Sequence, residues 1–97
     1  MKGYWIVLGS SVMDKDAQQA YGALWAPIAE KYQAKLKTVD AASVLKEQRD
    51  TQRVLVVEFP SHEAAIACYE DPAYEQAKEF ALRASNRELL ILAGELM

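Results

Sequence analysis

Few residues in this chain are equipped for chemistry: Glu58, His62, Cys68 and Arg83, with Tyr69, Tyr74, Trp5 and Trp25 as aromatic wall. Glu58 closes the run Arg53-Val54-Leu55-Val56-Val57-Glu58 and shares a strand face with Val54 and Val56. A carboxylate on such a face is costly unless it is paired. It is read either as a structural ion-pair partner of Arg53, Arg83 or a residue of a second chain, or as an acid or base facing a ligand. Arg83 carries the same two readings, since its fork suits a carboxylate or a backbone carbonyl. His62 follows Ser61 at a helix start, where an imidazole is either exposed decoration or an acid-base group. Tyr69 and Tyr74 flank Asp71-Pro72, each with an apolar body and a polar tip fit for core packing or ligand contact.

The remaining residues exclude several classes of chemistry. Cys68 sits at an apolar helical position with nothing nearby in sequence to depress its pKa, so it reads as a small buried hydrophobe. One cysteine and one histidine provide neither an internal disulfide nor a ligand set for zinc or iron-sulfur centres, so no metal and no cofactor is expected. Gly9-Ser10-Ser11 lacks the glycine repeats of a dinucleotide site, and no nucleophile-base-orienter set emerges. A formal charge of -3 with no basic stripe argues against nucleic acid. The apolar run Tyr4–Leu8 is too short for a secretion signal, and no segment approaches membrane-spanning length, so a cytoplasmic location is expected.

These residues must be positioned by a small fold. A chain of 97 residues, 52% hydrophobic and 26% charged, fits one globular domain over 1–97. A domain of this size buries only about two-thirds of its unfolded surface and gains stability from a partner surface. Tyr4–Leu8 reads as a strand apolar on both faces, stopped by Gly9-Ser10-Ser11. From Asp14 to Tyr32 the apolar residues recur at three- and four-residue steps, predicting a helix with a bend near Gly22–Pro27. Lys35–Asp40 alternates polar with apolar as an edge strand does, and 41–52 is loosely patterned. Arg53–Phe59 is a second two-sided apolar strand, ended by Pro60. Ser61 caps a helix that stops before Asp71; Asp71 and Pro72 then open another through Ala84. Leu89–Ala93 is the last strand.

The order strand, helix, strand, strand, helix, strand is the ferredoxin-like split βαβ pattern, an antiparallel four-stranded sheet with helices on one face. The first and third strands are central in that topology, and here they are among the most apolar. Helices on one face leave the other apolar face uncovered. A second copy packed by two-fold symmetry into a dimeric α/β barrel is the simplest cover, so a homodimer is expected.

The segments Val57-Glu58-Phe59-Pro60-Ser61, Ala64-Ala65, Tyr69-Glu70-Asp71-Pro72-Ala73-Tyr74 and Arg83 resemble the family called domain of unknown function 1330 (DUF1330). Lys2-Gly3-Tyr4-Trp5, the spacing from Tyr21 to Pro27 and Gly94 extend the resemblance over nearly the whole chain. It implies a dimeric α+β barrel and leaves activity open. Gln33-Ala34 stands where the family usually has a glycine pair.

Two functions are weighed. In the first, a cavity between sheet and helices binds a small apolar, oxygenated compound, or acts on it as a cofactor-free monooxygenase or isomerase does in related architectures. Glu58, Arg83, Tyr69 and Tyr74 then orient a polar group, while Trp5 and Trp25 supply wall. In the second, the dimer is a non-catalytic module whose interior is filled by side chains. A ligand is expected near Asp71-Pro72, against Tyr69, Tyr74, Arg83 and Glu58.

Overall fold

The computed structural model describes residues 1–37 and 46–94. The elements are β1 (Gly3–Gly9), α1 (Lys15–Tyr32), β2 (Lys35–Lys37), β3 (Arg53–Phe59), α2 (His62–Glu70), α3 (Pro72–Ala84) and β4 (Arg87–Ala93). The strands form one sheet in the order β2-β3-β1-β4. All its pairings are antiparallel. This is the ferredoxin-like arrangement, with β1 and β3 central and the polar β2 at an edge. The expected second strand is described only as far as Lys37; its remainder lies outside the described residues.

Local chemistry sets the helix boundaries. Asp14 and Ser61 accept from the amides of Ala17 and Ala64. Asp71 accepts from Ala73 N-H at the start of α3, where Pro72 occupies a position that needs no donor. The helix α1 passes through Pro27 without ending and closes on Gln33 at φ 54°, ψ 38°, a left-handed cap usually given to glycine.

Register divides the side chains between two faces. Trp5 stands opposite Val57 and Ile91, so Trp5, Val7, Val57, Phe59, Leu89 and Ile91 share one face. Against it pack Ile28 of α1, Ala65 and Cys68 of α2, and Tyr74 and Ala77 of α3. The glycine at position 3 permits a close approach: a Cβ there would lie 2.7 Å from the Ser61 carbonyl oxygen and the His62 Cα. That approach seats the start of α2 on β1.

The other face presents Tyr4, Ile6 and Leu8, Val54, Val56 and Glu58, and Leu90 and Leu92; Tyr4 and Glu58 at one end of it are buried. Leu90 and Leu92 are 44% and 37% exposed. The described helices all pack on the Trp5 face, leaving this apolar face without a helical cover.

Candidate functional site

The interior beneath the helices is a cluster of rings. Trp5 lies 5.0 Å from Phe59 and Tyr74, 5.4 Å from Trp25 and 5.9 Å from Tyr69, centroid to centroid. Its indole N-H donates to the Ala65 carbonyl at 3.0 Å, tying β1 to α2. Tyr21 stacks on Trp25 at 6.4 Å with a 5° angle between planes. These are ring geometries that add to area burial. Trp5 and Tyr74 are fully enclosed, and Trp25 and Tyr69 are half-buried.

The polar end of this cluster is organised by Arg87. Its Nη2 donates to Tyr74 Oη at 2.9 Å, and its guanidinium lies 5.4 Å from the Tyr21 ring centroid. The Tyr21 and Tyr74 hydroxyls are hydrogen-bonded at 3.2 Å. Burial, followed by the neighbouring Tyr21, pushes the Tyr74 phenol far above its ordinary value, against the opposite pull of Arg87. Tyr74 is therefore a neutral hydrogen-bonding group. Beside Arg87 opens a cavity of about 170 Å³ lined by Tyr69, Lys78, Leu82, Arg87 and Leu89. A wider, open hollow of about 420 Å³ lies by Ser10, Gln52 and Asn86.

The sequence-derived candidates divide accordingly. Tyr69, Tyr74, Trp5 and Trp25 are brought together, with Tyr69 lining the cavity. Arg83 is not with them: it is exposed on α3, with its guanidinium 4.9 Å from the Phe80 ring centroid. Glu58 is not with them either, because it stands opposite Tyr4 on the face turned away from the helices. Its partners are neither Arg53 nor Arg83. They are Lys2 at 3.4 Å and Lys37 at 3.9 Å. Arg53 instead donates to the Ser10 carbonyl and the Ser85 hydroxyl. His62 is half-buried at the start of α2, its Nδ1 enclosed without a hydrogen-bond partner among the described residues, and it does not line the Arg87 cavity. Burial pushes the Cys68 thiol up to about 12, so it stays an unreactive thiol at neutral pH.

Arg87 was missed because it precedes the apolar run Leu89–Ala93 and reads as part of the connection. The signal was the two-residue period: Arg87, Leu89 and Ile91 alternate with Glu88, Leu90 and Leu92.

Glu58 is itself buried at 8% exposure, but its partners Lys2 and Lys37 are each 41% exposed and rehydrate once it is gone, so Glu58→Leu is expected to change stability by only about 1 kcal/mol. Urea unfolding checks this. A loss of several kcal/mol would mean a buried pair.

A second polar cluster fixes the α1 end to the α2–α3 turn. Lys31 Nζ and Tyr32 Oη donate to Asp71 Oδ2 at 2.8 and 2.6 Å. Hydrogen bonds from Lys31 first, then from Tyr32 and the Ala73 amide, hold the Asp71 carboxyl well below the usual carboxylate range. A depressed folded-state pKa gives stability that is present above the unfolded value, near 4, and lost as pH falls through the folded one. Thermal melts from pH 6 down to pH 2 should therefore show a falling midpoint. Asp71→Asn keeps a capping acceptor and should flatten part of that slope; an unchanged slope would place the acid sensitivity elsewhere.

The family described as a domain of unknown function, DUF1330, matches residues 2–95. The chain belongs to the DUF1330 family. Its fold recurs in solved structures at low identity. A dimeric ferredoxin-like protein of unknown function from Jannaschia is 13% identical with TM-score 0.70, over 99% of this chain and all of that one. A methylated form of RPA0582, a Rhodopseudomonas palustris protein of unknown function, is 18% identical with TM-score 0.69, over 97% of this chain and 81% of that one. SnoaB, a cofactor-independent oxygenase from Streptomyces nogalater, is 12% identical with TM-score 0.60, over 99% and 95% of the two chains. No curated protein sequence matches this DUF1330 chain. No helix among its described residues is long and apolar enough to cross a membrane.

Proposed function

We propose that this DUF1330 chain is a cytoplasmic homodimer that binds a small organic molecule in the cavity bounded by α2, α3 and β4. The observation that supports the ligand reading is the cavity's make-up. Apolar surface from Tyr69, Leu82 and Leu89 adjoins the cationic heads of Arg87 and Lys78, which is the mixture of wall and convergent polar groups that small-molecule sites use. Binding is favoured over catalysis, since the described residues lining the cavity include no carboxylate, imidazole or thiol, and the Lys78 amine, raised above its ordinary value by its hydrogen bond to Glu75, stays protonated. The oxygenase reading has fold likeness to SnoaB behind it and the isomerase reading fold analogy alone, and function does not follow from fold. At about 170 Å³ the cavity is below the ~300 Å³ where drug-sized sites begin, and the ring cluster occupies the rest of the interior, which favours the side-chain-filled reading over any drug-sized ligand. The ligand is accordingly small.

Chemical-shift mapping with a panel of single-ring fragments tests the cavity. Shifts should gather on Tyr69, Lys78, Leu82, Arg87 and Leu89. A panel that leaves those residues unmoved overturns the binding reading. The homodimer is supported by the apolar face of Ile6, Leu8, Val54, Val56, Leu90 and Leu92, which no described helix covers. Size exclusion with light scattering should report about twice the 10.8 kDa chain mass at micromolar concentration; a monomer overturns it.

A further inference from the structure

We infer that the Arg87 cavity takes a monocarboxylate carried on a single ring, with the Arg87 guanidinium as its counter-charge. This rests on the reading of that cavity as a small-molecule site. Arg87 is half-buried and its charge has no carboxylate in contact among the described residues: the acids Glu58, Asp71 and Glu75 are engaged by Lys2 and Lys37, Lys31, and Lys78 respectively. Its contacts are the hydroxyl of Tyr74 and the ring face of Tyr21. An arginine cannot shed its proton to escape burial, and a charge removed from water calls for an opposite one. Among the described residues Tyr74 and Tyr21 take up only part of its five N-H donors. The remaining fork matches a carboxylate in a two-point contact.

Size and wall chemistry limit what that carboxylate is attached to. An apolar cavity of about 150 Å³ admits a benzene ring, and the space here is about 170 Å³, bounded by Tyr69, Leu82 and Leu89. One flat ring fills that space. Lys78 sits 5.0 Å from the Tyr69 ring centroid and is already bound to Glu75 at 3.0 Å. That glutamate places negative charge beside Lys78, which disfavours a second anionic group on the ligand.

The probe is benzoate, with benzyl alcohol as its neutral counterpart of similar shape. Titrated into the full chain, benzoate should shift the amides of Tyr69, Lys78, Leu82, Arg87 and Leu89 and bind about tenfold or more tighter than benzyl alcohol, the difference expected of a charge-assisted two-point contact. Arg87→Met should erase that preference, and Arg87→Lys should keep part of it. If Arg87→Met proves unfolded by circular dichroism, the Arg87→Lys ratio against the unmodified chain decides. Equal binding of both probes at these residues overturns the carboxylate inference while leaving the cavity as a small-molecule site. Shifts by neither probe, or shifts elsewhere, overturn the site reading and this inference with it.

Discussion

Trp5→Ala is expected to remove about 3–5 kcal/mol of stability, the range for deleting a large buried aromatic side chain. The reason is position as much as size. Trp5 is 1% exposed and makes ring contact with Trp25, Phe59, Tyr69 and Tyr74, so its loss opens a void shared by α1, α2, α3 and the sheet. It also leaves the Ala65 carbonyl without the donor that the indole provides. Small domains are stable by only about 5–15 kcal/mol, so one substitution removes a large share. At roughly 4–8 °C per kcal/mol the midpoint should fall by about 12–40 °C. Trp5→Phe separates the two contributions: it retains much of the ring volume and loses the hydrogen bond, at about 1–3 kcal/mol. Urea and thermal unfolding followed by circular dichroism check both. A Trp5→Ala midpoint within a few degrees of the unmodified chain would mean that the ring cluster does not hold the core.

The elements were legible because several independent signals agreed at each of them. Asp14, Ser61 and Asp71 each occupy a cap, and Pro72 stands at the start of α3 as the Asp-Pro pair predicted. The strong two-sided apolar character of Arg53–Phe59 and Tyr4–Leu8 correctly set β3 and β1 at the centre of the sheet. That same two-sidedness hid the orientation of Glu58. With Val54 and Val56 on one face and Leu55, Val57 and Phe59 on the other, composition alone does not say which face the helices cover. The register Trp5 to Val57 decides it, and register depends on pairing between distant segments.

Arg83 illustrates a different loss. The buried residues of α3 are Tyr74, Ala77, Ala81 and Ala84, at steps of three and four. Arg83 is nine positions beyond Tyr74, and at about 100° per residue that carries it half a turn away from Tyr74 on the helix. Its exposure follows from the sequence once the helix phase is fixed on Tyr74. The family-like motif drew attention to Arg83 as a residue type, whereas the phase determines where the side chain goes. Arg87 reaches the ring cluster by the complementary route, as the first residue of a strand whose period continues one step before its apolar run.

Ile6→Asp is expected to dissociate the proposed dimer. Ile6 sits at the middle of the face that no described helix covers, opposite Val56 on β3 and Leu90 on β4. Within one chain Ile6 is only half-buried, so the substitution should leave the fold intact, as circular dichroism would show. Between two copies it becomes a carboxylate enclosed by apolar side chains. A two-fold interface places the same change on both sides, so each dimer holds two such carboxylates of like charge. An uncompensated buried charge costs about 3–5 kcal/mol, which is roughly a hundredfold or more in the dissociation constant. Light scattering should therefore report a mass near the single-chain 10.8 kDa at concentrations where the unmodified chain is double that. Ile66→Asp, on the exposed side of α2, serves as the control and should leave the dimer unchanged. The melting midpoint of the unmodified chain should also rise with protein concentration, since association stabilises only folded copies, while that of Ile6→Asp should not. A dimer that survives Ile6→Asp would place the interface on another surface and leave the apolar face of the sheet without a partner.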